Sequence, residues 1–284
     1  MTLQQATQQL EQLRQIYDLR EVQGIGDLVM EHLTGWKRIE RLLNRQQVLS
    51  PQQETGLAQF IHQLLQHRPV QYVLGEAWFC GMKLFVDERV LIPRPETEEL
   101  VDWMVEDLGK RDGQPIRMLD VGTGSGCIAL AIKKEVPETD VWACDVSPDA
   151  LQVAQKNAAG LKIPLQSLCC DFLDEAQWNS FPPVDMIVSN PPYIPVTDQA
   201  AMRHNVLGYE PHGALFVPAH DPLLFYRAIA LFVKTRLPAG GAAYVEIHEA
   251  MANRLNDLFS TNGLEVENRK DLQGKDRMMK IGKH

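Results

Sequence analysis

Residues 116–132 contain three pieces in immediate succession. They are the strand-like run Ile116-Arg117-Met118-Leu119-Asp120-Val121, the turn Gly122-Thr123-Gly124-Ser125-Gly126, and the apolar helical stretch Cys127-Ile128-Ala129-Leu130-Ala131-Ile132. A strand, a glycine turn and a helix in that order commit a chain to an α/β architecture with ligand-binding potential at the turn. Glycines allow the tight bend and the close approach of backbone to a ligand. The spacing departs from the dinucleotide fingerprint: the third glycine stands at 126, and Cys127 occupies the position that Gly-x-Gly-x-x-Gly would require.

The alternation continues downstream. Residues 141–144 form a strand ending at Asp145, where an acid can accept both hydroxyls of a ribose. A dehydrogenase would use the same acid, so Asp145 indicates an adenosine ligand without naming it. A helix over 148–159 leads to a strand over 165–169, ending at Asp171-Phe172. That polar-aromatic pair suits an adenine amine and its ring, although an aspartate there is also an ordinary turn residue. The fourth strand, Val184-Asp185-Met186-Ile187, runs into Val188-Ser189-Asn190-Pro191-Pro192-Tyr193-Ile194-Pro195. Open α/β sheets bind ligands at the carboxyl ends of their strands, which is where Asp120, Asp145, Asp171 and Asn190 all fall.

The loop at Asn190 has its own chemistry. Each proline fixes φ near −65° and carries a carbonyl without an N–H. The result is a rigid loop offering one amide side chain, bare acceptors and an aromatic ring, a set suited to a planar NH2-bearing group. Asn-Pro is equally a common strand-ending turn, and the tetrapeptide alone does not separate the two.

Residues 1–67 carry apolar side chains at helical spacing: Leu3, Ala6, Leu10, Leu13 and Tyr17, then Trp36, Ile39, Leu42 and Leu43, then Leu57, Phe60, Ile61, Leu64 and Leu65. Gly24, Gly26, Gly35 and Ser50-Pro51 punctuate the run. A small bundle of four or five short helices follows, for partner recognition or for stability alone. Alternation across 76–91 predicts a β-hairpin linker within 68–94. Residues 92–99 form a stiff lead-in to a helix through about Leu108, readable either as a capped helix start or as a lid. Beyond the Asn190 loop the pattern gives a helix at 221–233, a strand at 241–246, a helix at 250–260 and closing strands near 264–266 and 278–281.

Composition excludes several classes. The 284 residues, 45% of them hydrophobic, suffice for one large domain or two, and no run matches a secretion signal or a membrane span. A cytoplasmic location is expected. Cys80, Cys127, Cys144, Cys169 and Cys170 show no Cys-x-x-Cys spacing, and His212 and His248 stand alone, so core packing and no metal are expected. A net charge of −9 gives no general attraction to phosphate backbones.

The residues Gly122-Thr123-Gly124-Ser125-Gly126, Asp145, Asp171-Phe172 and Asn190-Pro191-Pro192-Tyr193 resemble those of Rossmann-like class I methyltransferases that use S-adenosylmethionine to modify planar amines. Arg68-Pro69-Val70-Gln71-Tyr72-Val73-Leu74-Gly75, Ile92-Pro93-Arg94-Pro95-Glu96-Thr97-Glu98, Tyr209-Glu210-Pro211-His212 and Asp271-Leu272-Gln273-Gly274-Lys275-Asp276-Arg277 look like the HemK/PrmC family of protein-glutamine methyltransferases. The resemblance covers residue 68 to the end, and the preceding bundle matches in position and character. It implies a helical domain at 1–67, a hairpin linker at 68–94 and a methyltransferase domain at 95–284, with a seven-stranded sheet whose last strand is antiparallel. The implied substrate is the glutamine of the Gly-Gly-Gln motif in class-1 peptide chain release factors. A monomer is expected, with no direct nucleic-acid or membrane partner. Gly122, Thr123, Gly124, Ser125, Gly126, Asp145, Asp171, Phe172 and Asn190 are expected to hold the cofactor. Asn190 and Pro191 would accept the two amide protons, with Pro192 and Tyr193 packing beside them. A ribosomal-protein glutamine, or an exocyclic amine of DNA or RNA, is the competing substrate.

Overall fold

The computed structural model describes residues 1–110 and 116–283. Two compact units emerge, one comprising Met1–Glu76 with Arg203–Tyr209, the other Ala77–Met202 with the chain from Glu210 onward.

The helical unit is built from α1 (Leu3–Leu10), α2 (Leu19–Thr34), α3 (Arg38–Leu43), α4 (Pro51–Leu64) and α5 (Val70–Leu74). Side-chain caps start three of them. Thr2 and Gln5 form a capping box on α1, Asp18 accepts two backbone N–H groups at α2, and Ser50 caps α4 ahead of Pro51. Gly35 ends α2 in the left-handed conformation. Leu3, Leu10, Leu13, Val29, Leu57 and Leu64 form the core. The short helix α3 departs from its expected role. Ile39, Leu42 and Leu43 are exposed at 63%, 59% and 79%, while Arg41 is the buried residue, bonded to the Trp36 carbonyl and to Asp27. The helical unit also extends past residue 67 to take in α5.

The second unit opens with a hairpin shorter than expected, β1 (Ala77–Phe79) and β2 (Met82–Leu84), which buries Phe79, Met82 and Leu84 and leaves Trp78 outside. Next come α6 (Pro95–Leu108), β3 (Arg117–Val121), α7 (Cys127–Glu135), β4 (Asp140–Asp145), α8 (Pro148–Leu161), β5 (Gln166–Cys169) and β6 (Met186–Ser189). Two-residue strands β7 (Ile194–Pro195) and β8 (Phe216–Val217) pair with each other; between them in the chain come α9 (His204–Tyr209), which belongs to the helical unit, and α10 (His212–Leu215). The chain ends with α11 (Leu224–Arg236), β9 (Ala242–Glu246), α12 (Ala252–Thr261), β10 (Glu265–Lys270) and β11 (Asp276–Gly282).

Seven strands form one sheet in the order β10-β11-β9-β6-β3-β4-β5. β4, β5, β6 and β9 join β3 in parallel pairings, and β11, the last strand, is antiparallel to both its neighbours. Side chains alternate between faces, as a strand's period of two requires. Met118, Met186 and Tyr244 pack with α6 and α7, whereas Leu119, Ile187 and Val245 pack with α11 and α12. Both faces are therefore covered, which explains why the strands read as nearly continuous apolar runs. Among the described residues no helix is long and apolar enough to cross a membrane. Cys144 and Cys170 are buried as expected, but Cys169 is exposed because it alternates outward at the end of the edge strand β5.

Candidate active site

A cavity of about 360 Å³ opens at the carboxyl ends of β3, β4, β5 and β6. Gly122, Gly124, Asp145, Asp171, Phe172, Asn190, Pro191 and Pro192 line it, so the successive strand ends do converge.

The glycine turn divides into two sides. Gly122 and Gly124 have φ of +71° and +53°, and a Cβ on either would meet nothing within 4 Å. Their backbone borders open space in the cavity. Gly126 faces the other way: at φ +80° its Cβ would come within 3.1 Å of the Ala154 Cβ and 3.3 Å of Leu130, so this glycine lets α8 approach the start of α7. Thr123 and Ser125 are buried and do not border the cavity. The Thr123 hydroxyl donates to Asp120 Oδ2 at 2.6 Å, and the Ser125 carbonyl accepts from Asn157 Nδ2 at 2.9 Å. Of the five turn residues expected to hold the cofactor, Gly122 and Gly124 border the cavity. The other three brace the turn.

Asp145 stands at the cavity wall with both oxygens engaged, Oδ2 accepting from Gly124 N at 2.9 Å and Oδ1 from Ser147 N at 2.9 Å. Burial pushes its carboxyl above the usual range, opposed by these N–H donors, so further donors such as ribose hydroxyls would favour the ionised form. Asp171 Oδ1 accepts from Leu173 N, an Asx turn that fixes the loop after β5. Phe172 is only 4% exposed, and its ring packs among Trp178, Phe181 and Phe232. The open stacking face expected for adenine is therefore a core group that forms part of the cavity wall. Burial also pushes Asp120, behind the turn, up to about 7, against hydrogen bonds from Thr123 and Ala129 N.

Asn190 follows β6 directly. Its Nδ2 donates to Thr97 Oγ1 at 3.1 Å, and the Thr97 hydroxyl donates to Glu246 Oε2 at 2.6 Å. Among the described residues no hydrogen bond reaches Asn190 Oδ1 or the Pro191 carbonyl. These are the two acceptors expected to meet the substrate amide. Tyr193 donates to Glu246 Oε1 at 3.3 Å, and its ring lies edge-on to His248.

The sequence motifs without an assigned role supply the supports. Glu210, 3% exposed, accepts from Arg94 Nη2 at 2.5 Å and Ile92 N at 3.2 Å, fixing the lead-in to α6 that carries Thr97. Asp271 organises the β10–β11 turn by accepting from Gln273 N and Lys275 N, and it holds Arg277 Nε at 3.3 Å. The positive charge of Arg277 acts on Glu246 and Tyr193. Residues 92–99 lead into α6 through Pro95 without a side-chain cap at Arg94, and Thr97 in its first turn touches the Asn190 side chain. Thr97 and Glu246 were missed as site residues. The one available signal was that Glu246 ends a strand, as Asp145 does. Pro211 of the Tyr209-Glu210-Pro211-His212 motif also lines the cavity, as do Arg89, Val90, Leu91 and Phe225, which no motif marked.

Two family models match the chain, the PrmC N-terminal domain over residues 2–75 and the methyltransferase small domain over residues 100–208. The release factor glutamine methyltransferase of Flavobacterium psychrophilum is 38% identical over 277 residues, covering 97% of this chain and 96% of that protein. The chain belongs to the release factor glutamine methyltransferase family. The protein of the same name from Bacteroides thetaiotaomicron is 39% identical over 270 residues, covering 94% of this chain and 95% of its own length. The human methyltransferase 10 domain containing protein, at 16% identity, superposes with a TM-score of 0.50 over 71% of this chain and 88% of its own, a likeness of fold. As a member of the release factor glutamine methyltransferase family the chain is an S-adenosylmethionine-dependent enzyme. Its residues fit that cofactor: the Cβ-free edge of Gly122 and Gly124 leaves room for close approach, and the Asp145 carboxylate has acceptor capacity left for a diol.

Proposed function

We propose that this enzyme methylates the side-chain amide nitrogen of the glutamine in the Gly-Gly-Gln motif of class-1 peptide chain release factors, and so modulates translation termination in the cytoplasm. The observation that carries the reading is the pair of unengaged acceptors, Asn190 Oδ1 and the Pro191 carbonyl, on a stiff loop at the cavity. The names of the relatives agree with it.

An amide nitrogen is a weak nucleophile because its lone pair is delocalised into the carbonyl. Orientation matters more here than a strong base. Asn190 Oδ1 and the Pro191 carbonyl accept the two N–H groups of the substrate, turning the nitrogen's π face toward the methyl donor and drawing electron density onto the nitrogen. S-adenosylmethionine would supply a methyl group on a sulfonium, whose C–S bond breaks as the N–C bond forms in line, leaving S-adenosylhomocysteine, with the nitrogen's surplus proton passing to solvent. Gly122, Gly124 and Asp145 hold that end of the reaction, with Asp171 and the wall at Phe172 beside the adenine. Pro192 flanks the flat amide, and Tyr193, which does not line the cavity, backs the loop through its hydrogen bond to Glu246. No metal takes part in this scheme.

Residues 1–76 serve as the partner-recognition unit in this reading, with the exposed Ile39, Leu42 and Leu43 of α3 as an apolar contact for the release factor. The enzyme works as a monomer on a protein, without direct nucleic-acid contact.

The test supplies labelled S-adenosylmethionine with a release factor, its Gly-Gly-Ala variant, a ribosomal protein extract and duplex DNA. Label on the release factor and its absence from the Gly-Gly-Ala variant is the expected result. Label on DNA or on a ribosomal protein instead would overturn the assignment.

A further inference from the structure

Glu246 is 2% exposed, lies 149 positions from Thr97 in sequence, and has no place in the scheme above, yet one of its oxygens holds the hydroxyl that holds Asn190. A primary amide can be turned over with little change in shape. Turned one way, Asn190 offers the cavity an acceptor oxygen. Turned the other way, it offers a donor NH2, which would meet the donor NH2 of a substrate amide head-on. The side chain alone does not choose between these states, so something behind it must.

We propose that Glu246 and Thr97 form a polarity relay that fixes which end of the Asn190 amide faces the substrate. A threonine hydroxyl has one proton and two lone pairs. The Glu246 carboxylate can only accept, so it takes that proton at 2.6 Å. Thr97 Oγ1 is then left to the Asn190 side as an acceptor only. It therefore selects Nδ2, the group found 3.1 Å from it, and Oδ1 is turned to the cavity. The relay rests on the amide-acceptor reading above and deepens it, because it makes the site specific for a group that donates two N–H bonds.

The surroundings of Glu246 keep this arrangement in one sense. Thr97 on α6 and the Tyr193 hydroxyl both donate to the carboxylate, and the Tyr226 hydroxyl of α11 donates to the Glu246 backbone carbonyl at 2.9 Å. Arg277 on β11 adds positive charge and Glu96 adds negative. Burial raises the Glu246 carboxyl above its ordinary value, while the Thr97 and Tyr193 hydrogen bonds and Arg277 oppose the rise. Once protonated, Glu246 becomes a donor. Thr97 is then free to point its own proton at Asn190, and the amide turns its NH2 outward. Turnover should consequently fall on the acid side through a group titrating above the usual glutamate range.

Thr97→Val keeps the shape and removes the hydroxyl, while Thr97→Ser keeps the hydroxyl. With a release factor as substrate, Thr97→Val should lower kcat about tenfold or more, with affinity for S-adenosylhomocysteine changed by less than about threefold, and Thr97→Ser should restore turnover. The acid limb of the kcat profile should be lost in Thr97→Val. Native-like kcat in Thr97→Val, a Thr97→Ser variant as impaired as Thr97→Val, or an unchanged acid limb would each overturn the relay. A substrate-free measurement separates this from the substrate assignment. The side-chain NH2 signals of Asn190, followed by NMR in asparagine-labelled protein, should move with pH in the native chain and not in Glu246→Gln. Signals that track the titration in a chain that methylates no release factor would keep the relay and remove the substrate. Signals indifferent to pH in a chain that does methylate it would remove the relay.

Discussion

Arg94 and Glu210 meet at 2.5 Å across 116 positions of sequence, with the Glu210 carboxylate almost wholly buried and the Arg94 guanidinium partly open to solvent. The pair fastens the segment before α6 to the loop beyond the Asn190 turn, and Ile92 N adds a second donor to the same carboxylate. Removing one partner strands a buried charge. Arg94→Ala should therefore cost about 3 kcal/mol of stability, and Arg94→Ala with Glu210→Ala less than the sum of the single changes by about 1–3 kcal/mol. Urea unfolding of the four chains of this cycle reads the coupling directly, and strictly additive values would show that the pair holds nothing.

The two sides of the glycine turn predict opposite behaviours. Gly124→Ala places a methyl in the cavity at φ +53° and should weaken S-adenosylhomocysteine binding about tenfold or more. Gly126→Ala drives its methyl against Ala154 and should lower stability by about 1–3 kcal/mol, leaving the affinity of the folded fraction intact. Calorimetry and thermal unfolding of both variants give the comparison. Equal loss of affinity in the two would contradict the division.

In the proposed scheme Asn190→Ala removes an acceptor of the substrate amide. Turnover should fall by about two orders of magnitude or more while cofactor affinity stays within about tenfold. Loss of cofactor binding in calorimetry would give Asn190 a different role.

Asp120 should give the cofactor-free chain a pH signature. Its folded value of about 7 lies above its ordinary 3.8, so the folded chain binds the proton more tightly than the unfolded chain. That contribution to stability is full below the unfolded value and is lost as pH rises through the folded one. Asp120→Asn cannot ionise, so relative to the native chain it should gain about 1–3 kcal/mol between about pH 5 and pH 8. Parallel stability curves for the two chains across that window would count against a buried ionising carboxyl.

On α3, Ile39→Ser, Leu42→Ser and Leu43→Ser combined should leave thermal stability nearly unchanged, because the side chains are already in water. The same variant should raise KM for an intact release factor about fivefold or more, and not for a short Gly-Gly-Gln peptide. Equal KM for both substrates would leave the helical unit without a recognition role at this surface.

Some of this was legible in the residues themselves. The β-branched run before Asn190 fixed the strand, and the prolines after it fixed the loop, because both effects are local. Asp145 was placed at the cavity by the same local logic. Phe172 reaches the cavity wall as well, but the local pattern does not say whether a ligand or Phe232 will meet its ring. On α3, helical spacing identified a shared face at Ile39, Leu42 and Leu43 but not whether a neighbour would cover it. Thr97 looked like one residue of an acidic first turn, because its partners at 190 and 246 are brought together only by the sheet. Arg89, Val90 and Leu91 reach the cavity by tertiary packing alone.

The order of the seven strands has a consequence for synthesis. β3, the first of the seven strands in the chain, ends up beside the centre, and its neighbours β4 and β6, with β5 beyond β4, follow it in the chain, so much of the half that carries Asp145 can pair while translation continues. The acceptor half cannot. Asn190 has no fixed orientation until Glu246 has joined as the end of β9, and Glu246 lacks its positive neighbour until Arg277 arrives on β11. A nascent chain would therefore acquire the means to bind its methyl donor well before it could direct that donor at a substrate.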